Sequence, residues 1–65
     1  MDRIFLVNEE AKEQILQFSR SDKFPRVAVQ VNRRRDGYLI TINGIDDEVS
    51  KFIEWLKSNG VELNA

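Results

Sequence analysis

The stretch GYLITINGIDDEVSKFIEWLKSNGVEL, residues 37–63, decides the fold. Tyr38 to Asn43 alternates as a half-buried strand does, with a side-chain period of two. Asp46, Asp47 and Glu48 then mark a helix start, where the positive end of the helix dipole favours carboxylates. Val49, Phe52, Ile53 and Leu56 recur at i, i+3, i+4 and i+7, the stripe of a core-facing helix running from about Asp47 to Ser58. Lys57 sits in its last turn, where a cation is favoured, and Gly60 offers the left-handed residue of a Schellman-type stop. Val61-Glu62-Leu63 reads as a short closing strand.

Upstream, Asp36-Gly37 signals a two-residue hairpin of type I′, which needs positive φ at both central positions. Before it, Val27, Val29 and Val31 share one face of a strand over 26–33, with Ala28, Gln30 and Asn32 on the other. A turn centred on Asp36-Gly37 sets Arg35 opposite Tyr38, Arg33 opposite Ile40 and Val31 opposite Ile42. Directly opposed residues share a face, so the valines join Ile40 and Ile42. A one-residue slip would send one set to solvent.

The amino-terminal third supplies a further strand and helix. Ile4 to Val7 is apolar throughout, and either Ile4 and Leu6 or Phe5 and Val7 face the helices. The remaining pair lies on the open face near Leu39 and Ala28, leaving an apolar patch of the kind that marks interaction sites. A homodimer through this open sheet face is the partner the pattern suggests. Asn8 is a good N-cap, followed by Glu9 and Glu10 in a first turn. Ala11, Ile15 and Phe18 form one face of a helix to about Arg20, and the cluster Ser19 to Asp22 with Pro25 ends it.

The expected order is βαββαβ. In one sheet this is the ferredoxin-like, split-βαβ arrangement: α+β, a four-stranded antiparallel sheet with two helices packed on one face. Residues 1–65 read as a single domain. A chain of this length buries only about 60% of its unfolded surface, so its core is thin.

Composition narrows the chemistry. The chain has no cysteine and no histidine, which removes disulfides, thiolate zinc sites, thiol nucleophiles and the commonest general base. Ser19, Ser21, Ser50 and Ser58 therefore lack a histidine to activate them. The three glycines are too widely spaced for a phosphate loop. Ten Lys plus Arg stand against eleven Asp plus Glu, so net charge gives no general attraction to nucleic acid. Arg33-Arg34-Arg35, with Arg26 nearby, is the one basic run, and alternation divides it between faces. It reads as a solubilising hairpin tip rather than an anion patch. Asp46-Asp47-Glu48 is accounted for by the helix start without a metal or an acid–base role. Trp55 borders the core stripe and reads as a cap on the core edge, with an exposed contact residue as the other reading. The start Met1-Asp2-Arg3-Ile4 does not read as a signal peptide, and no apolar run approaches the roughly 20 residues of a membrane helix. The expectation is a soluble domain with no catalytic residues, cofactor or metal.

Arg35-Asp36-Gly37-Tyr38 has the basic-x-Gly-aromatic character of RNA-recognition motifs. Those modules stack bases on aromatics of the open sheet face, whereas here Tyr38 turns toward the helices and Leu39, Thr41 and Asn43 face outward. Nucleic-acid binding is therefore not expected.

Gly37 to Leu63 also resembles the carboxy-terminal part of NIL domains. The shared features are Gly37, a strand ending Asn43-Gly44, acidic residues at the helix start, and Leu56 before Gly60-Val61-Glu62. Val31-Asn32-Arg33 stands where that family has its Asn-Ile-Leu triplet, so no ligand residue carries over. The resemblance implies a small regulatory ligand-binding or dimerisation module of NIL or ACT type. The same stretch is similar to computationally designed ferredoxin-like proteins, with an Asp-Gly hairpin, capped helices and a Gly-Val exit. That likeness implies a designed or redesigned stand-alone scaffold without an evolved ligand, and it is the leading expectation.

Overall fold

A computed structural model describes residues 1–63. The chain forms β1 (Asp2–Val7), α1 (Glu9–Ser19), β2 (Ala28–Arg34), β3 (Gly37–Asn43) and α2 (Asp46–Ser58). The sheet has three strands in the order β1-β3-β2, with β3 antiparallel to both neighbours. The fold is thus a small α+β arrangement, βαββα, and the expected fourth strand is absent from the described residues.

The end of α2 explains that difference. Gly60 has φ +80°, its N–H donates to the Lys57 carbonyl at 3.1 Å, and the Val61 N–H donates to the Leu56 carbonyl at 3.0 Å. These two bonds make the Schellman stop foreseen from Gly60, with Val61 and Leu56 both buried as its apolar contact. The closure uses the Val61 N–H that a strand would need. Only Glu62 and Leu63 then remain among the described residues, too few for a ladder. Val61 and Leu63 still pack on the core, so the apolar pattern reports burial without pairing.

The hairpin between β2 and β3 is also displaced from its expected register. Arg34 pairs with Gly37, Arg33 with Tyr38, Val31 with Ile40 and Val29 with Ile42. The loop is Arg35-Asp36, and no described non-glycine residue has positive φ, so the turn is not type I′. The shift is two residues. It leaves every side chain on its expected face, because the pleat repeats every two residues.

Pairing of β1 with β3 settles the face of the first strand. Phe5 lies opposite Ile40 and Val7 opposite Tyr38 on the helix side, while Ile4 and Leu6 lie opposite Thr41 and Leu39 on the open side. Phe5 and Val7 are buried, whereas Ile4 is 59% exposed and Leu6 36%. The core joins them to Ala11 and Ile15 of α1, Ile40 and Ile42 of β3, and Val49, Phe52, Ile53 and Leu56 of α2. Phe24, from the loop after α1, completes it against Phe52 with ring centroids 5.3 Å apart. Val29 and Val31 were expected inside this core. They are only half-buried and pack against its rim.

The two helix starts differ. Asn8 caps α1, its side-chain oxygen accepting from the Ala11 N–H at 2.8 Å. The N-cap of α2 is Ile45, which makes no side-chain cap bond, so Asp46, Asp47 and Glu48 complement the dipole without capping the helix.

Candidate functional surface

The open face of the sheet is read directly from the register. Its rows are Leu6-Leu39-Asn32, Ile4-Thr41-Gln30 and Asp2-Asn43-Ala28. The apolar residues concentrate on the β1 side, and polar ones dominate on β2. At the corner of the face the Asn43 side-chain amide donates to the Asp2 carboxylate. Ala28, expected in the patch, lies at the far edge from Leu6, so the patch is Ile4, Leu6 and Leu39.

Arg26 and the run Arg33 to Arg35 do not converge on a pocket. Arg26, Arg33, Arg34 and Arg35 are all exposed. Arg33 is on the helix side, Arg34 on the open side, and Arg35 in the turn rather than beside Tyr38 as the type I′ register would have it. Tyr38 faces the helices as expected and lies under Lys12, whose Nζ is 4.7 Å from the ring centroid.

The serines serve the backbone where they bond at all: Ser19 Oγ donates to the Leu16 carbonyl and Ser58 Oγ to that of Glu54. Asp46 lies 3.7 Å from the Met1 amino group. Among the described residues no group of three acidic side chains is arranged to hold a metal ion. The resolved perturbations of titrating groups belong to one pair, a half-buried Lys12 and an exposed Glu13. Lys12 donates to Glu13 at 2.8 Å, which raises the lysine pKa and lowers that of the glutamate.

One surface feature escaped the sequence pattern. Trp55 is half-buried and packs edge-on against Phe18 at 4.9 Å and tilted on Phe24 at 5.5 Å. Lys23 stands over its indole at 5.1 Å. Beside it runs an open groove of about 520 Å³, bordered by Phe24, Trp55, Lys23, Lys51, Glu48 and Glu54. The signal was Phe24 next to Lys23, a single aromatic within an irregular loop, with no periodicity to attach it to α2. Trp55 closes the core edge, and its aromatic neighbours account for its burial.

No helix among the described residues is long and apolar enough to cross a membrane. Compared with protein-family models, curated proteins and solved structures, the chain matches none.

Proposed function

We propose that the chain is a non-catalytic scaffold domain of the designed or redesigned ferredoxin-like kind, presenting surfaces rather than performing chemistry. In this reading the three strands are a ferredoxin-like sheet without its outer strand. The observation that supports it most is the composition of the core. Every buried side chain among the described residues is apolar, from Phe5 to Val61. Active sites are where proteins retain buried polar groups and shifted acids, because chemistry needs them there. Local geometry and packing agree at the Asn8 cap and the Gly60 stop.

Turnover assays with generic ester, phosphate and glycoside substrates, run beside a thermal-shift screen of metabolites, test this reading. The expected result is no turnover and no saturable rise in midpoint. A ligand that raises the midpoint in proportion to its occupancy would overturn it, since binding to the native state must stabilise it.

The second reading, a small ligand-binding or dimerisation module of NIL or ACT type, is favoured by Ile4 and Leu6. Both stand exposed on the uncovered sheet face next to Leu39. A saturable midpoint shift lost on Ile4→Lys would select it.

A further inference from the structure

We propose that the groove beside Trp55 binds a small quaternary ammonium cation, which takes the place of the Lys23 ammonium over the indole. The proposal goes beyond the scaffold reading and is compatible with it. One aromatic face with nearby carboxylates gives weak binding, on the order of millimolar, and such a ligand leaves the unfolding midpoint unmoved at micromolar concentration.

Among the described residues three cations stand over aromatic rings: Arg3 over Phe5, Lys12 over Tyr38 and Lys23 over Trp55. Only the third is free to exchange. Phe5 is buried, so little of its ring is open to a ligand. Lys12 is held by its hydrogen bond to Glu13 at 2.8 Å. Lys23 is exposed in the irregular loop after α1, and among the described residues it makes neither an ion pair nor a side-chain hydrogen bond. Its Nζ lies 5.1 Å from the centroid of the half-buried Trp55 ring, and leaving that ring breaks no salt bridge. Tryptophan is also the side chain whose face attracts cations most strongly.

The charges around the ring complement a cation. Glu48, Lys51 and Trp55 fall at i, i+3 and i+7 on one stripe of α2, and Lys23 and Phe24 close the groove from the loop. Glu48 is half-buried, and its carboxylate has no ion pair or side-chain hydrogen bond among the described residues. With Glu54 it sets two carboxylates against the two ammoniums of Lys23 and Lys51. The lining is therefore neutral while Lys23 is in place and carries one net negative charge once Lys23 swings out. A ligand cation restores the balance one for one. At about 520 Å³ the groove has the size of small-molecule sites. A lysine ammonium is a strongly hydrated point charge. A quaternary ammonium has no N–H to keep hydrated, so it loses less on leaving water for the aromatic face.

Trp55 is the one tryptophan of the chain, so its fluorescence reports this site. Titration of the whole chain with choline chloride, against sodium chloride at equal ionic strength, should give a saturable change. The neutral carbon isostere of choline, dimethylbutanol, should give none over the same range. Lys23→Ala, at an exposed position, should keep the helical circular dichroism signal and tighten choline binding roughly threefold, since the resident competitor is gone. Glu48→Gln should weaken binding. In amide chemical-shift mapping, the choline-dependent shifts should centre on Lys23, Phe24 and Trp55 and leave Tyr38 unmoved. An equal response to choline and dimethylbutanol would overturn the proposal, because the groove would then be an apolar patch indifferent to charge. So would a response that grows without saturating, or choline binding by Lys23→Ala no tighter than by the wild type. Shifts centred on Phe5 or Tyr38 would overturn it as well, because another ring would then be the site.

Discussion

A Cβ placed on Gly37 would stand 2.6 Å from the carbonyl oxygen of Val7, the last residue of the neighbouring strand. Gly37 also has φ +150°, a conformation that L side chains resist. Both constraints act at one position, where β3 begins and β1 ends. Gly60 has only the second: φ is +80°, and the space around its missing Cβ is open.

The two glycines should therefore respond differently to substitution. Gly60→Ala should cost on the order of 1–2 kcal/mol from backbone conformation alone. Gly37→Ala should cost more, because Val7 is backbone and cannot move aside without disturbing its pairing with Tyr38. Gly37→Val should cost more again. Urea midpoints of the three variants, compared at constant slope, measure this. A Gly37→Ala midpoint equal to that of Gly60→Ala would remove the steric argument.

Truncation in the core should separate centre from rim. Phe52→Ala and Ile42→Ala remove fully buried side chains and should each cost about 2–5 kcal/mol. Losses of that size unfold most molecules of a domain with thin reserves. Val31→Ala, at the half-buried edge, should cost roughly 1 kcal/mol, in proportion to the smaller apolar area removed. Chemical denaturation of the three single variants ranks them. Equal losses for Val31 and Ile42 would place β2 inside the core.

Much of this was legible in the sequence because local patterns carry it. The stripe Val49, Phe52, Ile53, Leu56 buries as its spacing requires, and Asn8 caps as its chemistry suggests. The first strand could not be oriented from sequence, since Ile4 and Leu6 are as apolar as Phe5 and Val7. Only pairing with Ile40 and Tyr38 decides between them. The hairpin register departs from the sequence pattern because Asp36-Gly37 implies a primed turn, while Gly37 is instead the first residue of β3. The fourth strand failed because Val61 is claimed by the helix stop. A buried valine after a glycine reads the same whether its N–H goes to a helix carbonyl or to a ladder. The surface groove at Trp55 depends on Phe24 folding back from a loop, which no periodicity encodes.

The uneven capping of the helices gives a pair of opposite effects. Asn8→Ala removes the acceptor for the Ala11 N–H and should cost about 1 kcal/mol. Ile45→Asn supplies the acceptor that α2 lacks and takes an exposed apolar side chain out of solvent. It should raise stability by about 0.5–1 kcal/mol. Thermal unfolding of both variants checks the signs. A destabilised Ile45→Asn would mean that Ile45 makes contacts that matter more than a cap.

The Lys12–Glu13 pair should show its hydrogen bond in titration and little in stability. The carboxyl of Glu13 is held below its ordinary value by the Lys12 ammonium, and the ammonium is raised in turn. The glutamate's contribution is thus present above the ordinary carboxylate value and lost as pH falls through its lowered one. The lysine's contribution is present below the ordinary lysine value and lost as pH rises through its raised one. Glu13 faces solvent while Lys12 is half-buried against Tyr38, so salt should weaken the effect without erasing it. Carbon-detected NMR titration of Glu13 in wild type and Lys12→Ala measures it. The expected outcome is a return of Glu13 to the ordinary range when Lys12 is removed.

Every assignment of surface in this protein depends on which residues β1 and β2 set against β3. Cross-strand nuclear Overhauser contacts on the isotopically labelled chain test that pairing most directly. The predicted contacts join Leu6 with Leu39, Phe5 with Ile40, and Val31 with Ile40. They leave Ile4 and Leu6 on the solvent face and Phe5 and Val7 against the helices. Contacts of Ile4 with Ile40 and Leu6 with Tyr38 instead, the pattern of a one-residue slip, would turn Ile4 and Leu6 inward, remove the exposed patch and contradict the account.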